Sequence, residues 1–171
     1  MLPTDSHYTR TRTVDWQDPA NVRRHAHGWT GLQIMQGIRD GTLPPPPIAR
    51  LIGFRCIVAE PGLITMEVGA AEELENPAGL IHGGVAATLL DTVMGAAAHT
   101  QLPADRLSVT SNLNITFLRR LIPQSGTLRA TGKVVSHGRT VAYAEGEFRD
   151  GAGRLAAHAV GSFSIIEVPN S

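Results

Sequence analysis

Residues 76–99 read Asn76-Pro-Ala-Gly-Leu-Ile-His82-Gly83-Gly84-Val-Ala-Ala-Thr-Leu-Leu-Asp91-Thr-Val-Met-Gly-Ala-Ala-Ala-His99. Asn, Pro and Gly fall close together at the start and predict a loop. From Val85 to Ala98 there is no Pro, and Ala and Leu dominate, which predicts a helix. Apolar residues run all round that helix, so burial is expected. Two features stand out against this pattern. A double glycine sits where the helix starts, and a carboxylate, Asp91, sits in the middle of the apolar run.

Each feature has a physical reading. A helix start carries unpaired N–H groups and a partial positive charge. Glycines there let another backbone or a ligand approach, so the place suits a negative oxygen, including one that develops in a transition state. A buried Asp costs free energy unless it is paired or used, and burial raises its pKa unless nearby donors lower it. Gly84 and Asp91 share a helix face with Ala87, Thr88 and Gly95, a stripe of small residues. Along the axis the two are separated by about 10.5 Å, so one small reacting group does not touch both. A second copy of the helix, antiparallel across a two-fold axis, would bring one chain's glycines to the other chain's Asp91. The pattern therefore points to a site shared between two subunits.

The rest of the chain frames this stretch. Its 171 residues suit one domain, read as an N-terminal extension over 1–47 and a folded domain over 48–171. Lys plus Arg equals Asp plus Glu at 15 each, which argues against nucleic-acid or membrane-surface binding driven by charge. The single cysteine, Cys56, excludes an internal disulfide framework, fits a reducing compartment and reads as strand filler. No apolar run is long enough to span a bilayer and the N-terminus lacks a signal-peptide shape, so a cytoplasmic location is expected.

Residues 1 to 27 are polar, hold Pro3, Pro19, His7, His25 and His27, and read as an arm that is at most partly ordered. Trp16 and Trp29 need a surface to pack on, such as a partner subunit. His25 and His27 lack a Cys or carboxylate to complete a ligand set, so no metal is expected. Thr30 and Gln33 form a capping box for a helix over 31–39, with Leu32, Ile34, Met35 and Ile38 apolar and Gly41 as its stop. Pro44 to Pro47 force an extended segment, read as a rigid spacer rather than a ligand for a proline-reading domain. Ile48 to Ile52 read as a helical turn closed by Gly53.

Strands are expected over 54–59 and 63–68 around the turn Glu60-Pro61-Gly62. Glu72, Glu73 and Glu75 read as a solvated acidic loop. After the central helix, Val109, Ser111, Leu113, Ile115 and Phe117 alternate with Thr110, Asn112, Asn114 and Thr116. Further strands are expected over 128–134, 140–148 and 154–166, the last two joined at Asp150-Gly151. Two strands, a helix and four strands predict an α+β fold: an antiparallel sheet with one long helix on one face.

Asn76, Gly79, His82-Gly83-Gly84 and Leu90-Asp91, in this order and with these gaps, resemble the signature of the hotdog-fold acyl-CoA thioesterases. The branch they resemble is the PaaI-type one, within the 4-hydroxybenzoyl-CoA thioesterase-like superfamily. Asn114-Ile115-Thr116-Phe117-Leu118 and Ser136-His137-Gly138-Arg139-Thr140 resemble strand segments of the same family, and the likeness covers about residues 48–166. It implies a sheet wrapped round the central helix, a homodimer with sheets paired edge to edge, and a tetramer of two such dimers.

For the chemistry, the resemblance implies that the Gly83 N–H and the Asn76 side chain hold the thioester oxygen. Asp91 of the facing subunit would act as general base, or as nucleophile through a mixed anhydride; the sequence leaves both open. Thr110 matches a position near the attacking water. His82 either supports the loop or touches substrate, and His99 and His158 read as structural or exposed. Gly84, Gly138, Arg139 and Arg119 are candidates for holding the substrate and its coenzyme A phosphates, with Arg120 as a further cation. No cofactor is expected beyond the coenzyme A of the substrate itself, and neither nucleic acid nor membrane is an expected partner. Two alternatives stay open: a hotdog-fold acyl-CoA dehydratase or hydratase, and a non-catalytic acyl-CoA-binding or sensing module.

Overall fold

The computed structural model describes residues 9–167; Pro3 and His7 lie outside them. The central helix, α4, runs Gly83–His99. It follows α1 (Pro19–His25), α2 (Gly31–Asp40), α3 (Pro47–Ile52) and the hairpin of β1 (Arg55–Glu60) and β2 (Leu63–Gly69). After it come β3 (Arg106–Phe117), β4 (Thr127–His137), β5 (Val141–Arg149) and β6 (Leu155–Glu167). All six strands form one antiparallel sheet in the order β1-β2-β4-β5-β6-β3, with α4 across one face. This is the hotdog arrangement.

The close seat of α4 follows from small residues on the sheet. Ala130, Ala142, Ala144, Ala157 and Ala159 are buried under it, and Gly132 faces the backbone of Val93. A Cβ on Gly132 would stand 2.4 Å from the Val93 carbonyl carbon, so no side chain fits there. The helix supplies the bulk that the sheet omits: Leu89, Leu90, Val93 and Met94 are fully buried. Burying each such side chain contributes about 1.5–3 kcal/mol. One expectation is corrected. Only one face of α4 is buried; Gly84, Ala87, Thr88, Asp91, Thr92, Gly95 and Ala96 stay half-buried or exposed.

The N-terminal part is more ordered than an arm. Asp18 caps α1 by accepting the Ala20 N–H at 2.9 Å, and Pro19 opens the helix. Asp-Pro is a legible start signal that the polar composition masked. The capping box of Thr30 and Gln33 starts α2 as expected, and Gly41 ends it in the left-handed region. α2 packs on β1 and α4 and adds Met35 to the core. Trp29 packs on Gly37, whereas Trp16 is 60 % exposed. The acidic loop is also not merely solvated: Arg10 reaches Glu72 and Arg12 reaches Glu73, both at 3.3 Å. Exposed pairs of this kind contribute about 1 kcal/mol or less each.

His99 ends α4, and burial pushes its imidazole pKa below the ordinary value. The unfolded chain then takes up this proton first, so stability is full above the ordinary His range and falls as pH drops through it. The melting temperature should therefore decline between about pH 7.5 and about pH 5.5, and His99→Gln should flatten that decline. Gly132→Ala should lower unfolding free energy by about 2 kcal/mol or more in a denaturant titration, because the helix must lift from the sheet.

Candidate active site

The start of α4 is built by its own N-cap. His82 Nδ1 accepts the Gly84 N–H at 2.8 Å, and the His82 carbonyl accepts the Val85 N–H at 2.9 Å. With Nδ1 accepting, the neutral ring carries its proton on Nε2. Side chains of the same chain crowd both glycines. A Cβ at 84 would lie 2.8 Å from His82 Nδ1, and one at 83 would lie 3.3 Å from Phe117 Cε1. The Gly84 N–H is committed to His82. The Gly83 N–H heads the helix, at the positive end of its dipole.

The preceding loop is closed on itself. Asn76 Oδ1 accepts the Ala78 N–H at 2.9 Å and the Leu80 N–H at 3.3 Å, and the Asn76 N–H donates to the Leu80 carbonyl at 2.7 Å. The Ile81 N–H donates to the Leu121 carbonyl and the His82 N–H to the Leu74 carbonyl, each at 2.8 Å. With its carbonyl oxygen occupied, the Asn76 amide keeps its NH2 as the group for an outside acceptor.

Two turns along α4, Thr110 Oγ1 donates to Asp91 Oδ1 at 2.8 Å. Strict alternation along β3 puts Thr110 on the face opposite Leu113, Ile115 and Phe117. The structure puts it on the same face, because the β3–β6 register shifts between Thr110 and Asn112. Thr110 then pairs with Phe163 and Leu113 with Gly161, both under the helix, and that β-bulge aims the hydroxyl at Asp91. Asp91 is half-buried rather than enclosed. Beside it, Thr88 Oγ1 donates to the Gly84 carbonyl at 2.9 Å and Thr92 Oγ1 to the Thr88 carbonyl at 2.6 Å. Both hydroxyls are folded back on the helix, so the open face is smooth around one carboxylate.

The chain brings some expected residues together and separates others. A cleft of about 40 Å³ beside Gly83 is lined by His82, Phe117 and Arg119 among others. Arg139 and Gly138 lie in the β4–β5 turn, where the Gly138 N–H donates to the Val141 carbonyl at 2.9 Å. Thr140 of that turn accepts from Ile165, which pairs with Ser108, whereas Arg119 lies beyond Phe117 at the other end of β3. Nine residues of strand, about 30 Å, separate the two ends. Within one chain Arg139 is therefore remote from Gly83. Phe117 escaped the sequence reading as a site residue; its alternation with Ile115 was legible, its seat on Gly83 was not. Burial pushes the Cys56 thiol up, away from nucleophile chemistry. Among the described residues no three His, Cys, Asp or Glu side chains converge, and no helix is long and apolar enough to cross a membrane.

A hotdog sheet carrying a capped glycine pair and a threonine-held carboxylate on its helix defines a protein of the hotdog class. The sequence pattern of the thioesterase superfamily matches residues 78–157. A Saccharolobus solfataricus protein named "Putative esterase" is 34% identical over 119 residues, covering 70% of this chain and 83% of that one. Among solved structures, a Ralstonia eutropha protein titled "putative thioesterase, phenylacetic acid degradation-related protein" superposes with TM-score 0.69 at 26% identity, covering 76% and 98% of the two chains. The E. coli PaaI protein superposes with TM-score 0.68 at 21% identity, covering 80% and 95%, and shares the fold. The chain belongs to the thioesterase superfamily.

His82→Ala should cost about 1 kcal/mol of stability through loss of the N-cap, and His82→Asn should restore most of it, as read by thermal unfolding.

Proposed function

We propose that the protein hydrolyses an acyl-CoA, aromatic or short- to medium-chain, to the free acid and coenzyme A, as a homodimer at least. The observation that carries this reading is Asp91 held by Thr110 on the open face of a helix whose N-terminus presents the Gly83 N–H. The Ralstonia eutropha likeness supports the PaaI-type branch, since that protein's title places it in phenylacetic acid degradation.

In this reading the thioester oxygen sits against the Gly83 N–H, with the Asn76 NH2 as second donor. Negative charge grows on that oxygen in the transition state, where a preorganised donor contributes about 3 kcal/mol. Asp91 stands eight residues along the same helix, about 12 Å away, so the carboxylate that serves this oxygen is Asp91 of the partner subunit. A two-fold axis would also carry Arg139 of the partner subunit, remote within one chain, toward the Gly83 end and the coenzyme A phosphates.

As general base, Asp91 takes a proton from water while the water oxygen bonds the carbonyl carbon. The tetrahedral intermediate then expels the coenzyme A thiolate, which receives the proton that Asp91 took from water. As nucleophile, Asp91 bonds the carbonyl carbon first, the adduct expels the coenzyme A thiolate to leave a mixed anhydride, and water then cleaves that anhydride to the free acid and the Asp91 carboxylate. Thr110 fits the first course: its hydroxyl hydrogen is committed to Asp91, so its oxygen accepts a hydrogen bond from a water and orients it. The hydratase alternative needs a histidine free to act as base, and His82 Nδ1 is committed to Gly84.

Asp91→Asn should lower kcat for thiol release by about 10²–10⁴, with fold and oligomeric state retained. Thr110→Val should cost about tenfold, one hydrogen bond's worth. Undiminished release by Asp91→Asn would end this assignment, and no release from any acyl-CoA by the wild type would end the hydrolase reading.

A further inference from the structure

The cleft beside Gly83 has a buried floor and an exposed rim. Ala86, Leu121, Phe148, Ala156 and Ala157 are buried. His82, Arg119 and Phe117 are exposed, and Phe117 is the apolar one of the three. Its register opposite Ala157 turns the side chain toward the helix, yet it is 57 % exposed. Its ring rests on Gly83, so closely that a Cβ there would stand 3.3 Å from Cε1. The ring therefore roofs the cleft at the head of α4. Its backbone is anchored, since the next residue, Leu118, donates its N–H to the Ala156 carbonyl at 2.8 Å. Within one chain the side chain is left to swing, and exposed side chains change rotamer in picoseconds to nanoseconds.

The cleft, open on one side, has a volume of about 40 Å³. At about 10–15 Å³ for each water, it holds about three, far less than a long acyl chain needs. His82 and Arg119 stand at its rim; the remaining walls are apolar, and two of them are the phenyl rings of Phe117 and Phe148.

We infer that Phe117 sets the acyl length this site accepts: with the ring on Gly83 the cleft takes a short acyl group, and a longer one enters only when the ring turns outward. This rests on the acyl-CoA reading above and specifies its substrate class. Phe117 is a specificity-determining residue and takes no part in proton transfer. The same ring covers one side of the Gly83 N–H, so an acyl group that seats beneath it also brings its carbonyl to that donor.

The test compares wild type, Phe117→Leu and Phe117→Ala in two assays. The first is calorimetric binding of S-alkyl-CoA thioethers, which cannot be hydrolysed, from ethyl to dodecyl. The second is thiol release from the matching acyl-CoAs. Wild-type affinity should level off within about three carbons, the room that three waters occupy. Phe117→Ala should keep gaining about fourfold per added methylene, and Phe117→Leu should fall between. Thiol release should follow the same order of chain lengths. The same length profile in all three proteins overturns the role of Phe117, even if every one of them releases thiol. A shifted binding profile without thiol release from any protein supports the length role and overturns the hydrolase reading. No thioether binding by any of the three overturns both. Phe117→Leu keeps the test decisive if the alanine variant unfolds.

Discussion

The structure depends on how closely α4 lies on its sheet. Gly132 meets the Val93 backbone directly, and alanines line the surface around it. Interiors pack to crystal density, so this approach is possible only where the sheet gives up side-chain volume and the helix supplies it. Leu89, Leu90, Val93 and Met94 fill the space, and Phe148 and Phe163 complete the core. A helix held this rigidly also fixes both poles of the candidate site. Its first residue lies against Phe117 at one end of β3, and its middle lies against Thr110 nearer the other.

The two poles are built differently. The Gly83 pole is a loop whose polar groups are largely paired: Asn76, Leu80, Ile81 and His82 each place a backbone N–H on a carbonyl or amide oxygen. Such a loop holds its donors in place before any ligand arrives, which is what oxyanion stabilisation requires. The Asp91 pole is open. Among the described residues Thr110 alone bonds the carboxylate, and the neighbouring threonines have turned their hydroxyls back to the helix. The N-terminal helices brace the opposite end of α4. The Gly31 N–H donates to the Leu102 carbonyl at 3.2 Å, and α2 packs on β1. They support the scaffold there and leave the open helix face uncovered.

Much of this was legible in the residues. The proline-free, alanine-rich run marked α4, the capping box marked α2, and the Glu-Pro-Gly turn marked the first hairpin. These are local effects, decided by residues a few positions apart. The spacing of Gly84 and Asp91 on one helix face was also local, and it carried the expectation of a site between two chains. His82 was legible as a support for its loop, though not as the N-cap whose ring excludes a side chain at Gly84. Asp18-Pro19 was equally local and equally readable, but lay in a stretch whose composition spoke for disorder.

By itself, then, the sequence determined the elements, their order, and which residues share the central helix. The tertiary structure decided what faces that helix. Alternation placed Thr110 outward; a bulge of one residue against β6 turned it to Asp91, and a bulge depends on the partner strand. Arg119 and Arg139 were both legible as cations at strand ends, but the strand register decided that they lie toward opposite ends of β3. Phe117 was one apolar residue among several until its ring came to rest on Gly83, 34 positions earlier in the chain. Period and propensity act over one or two turns of chain; register and long-range contact are settled only when the whole sheet closes on the helix.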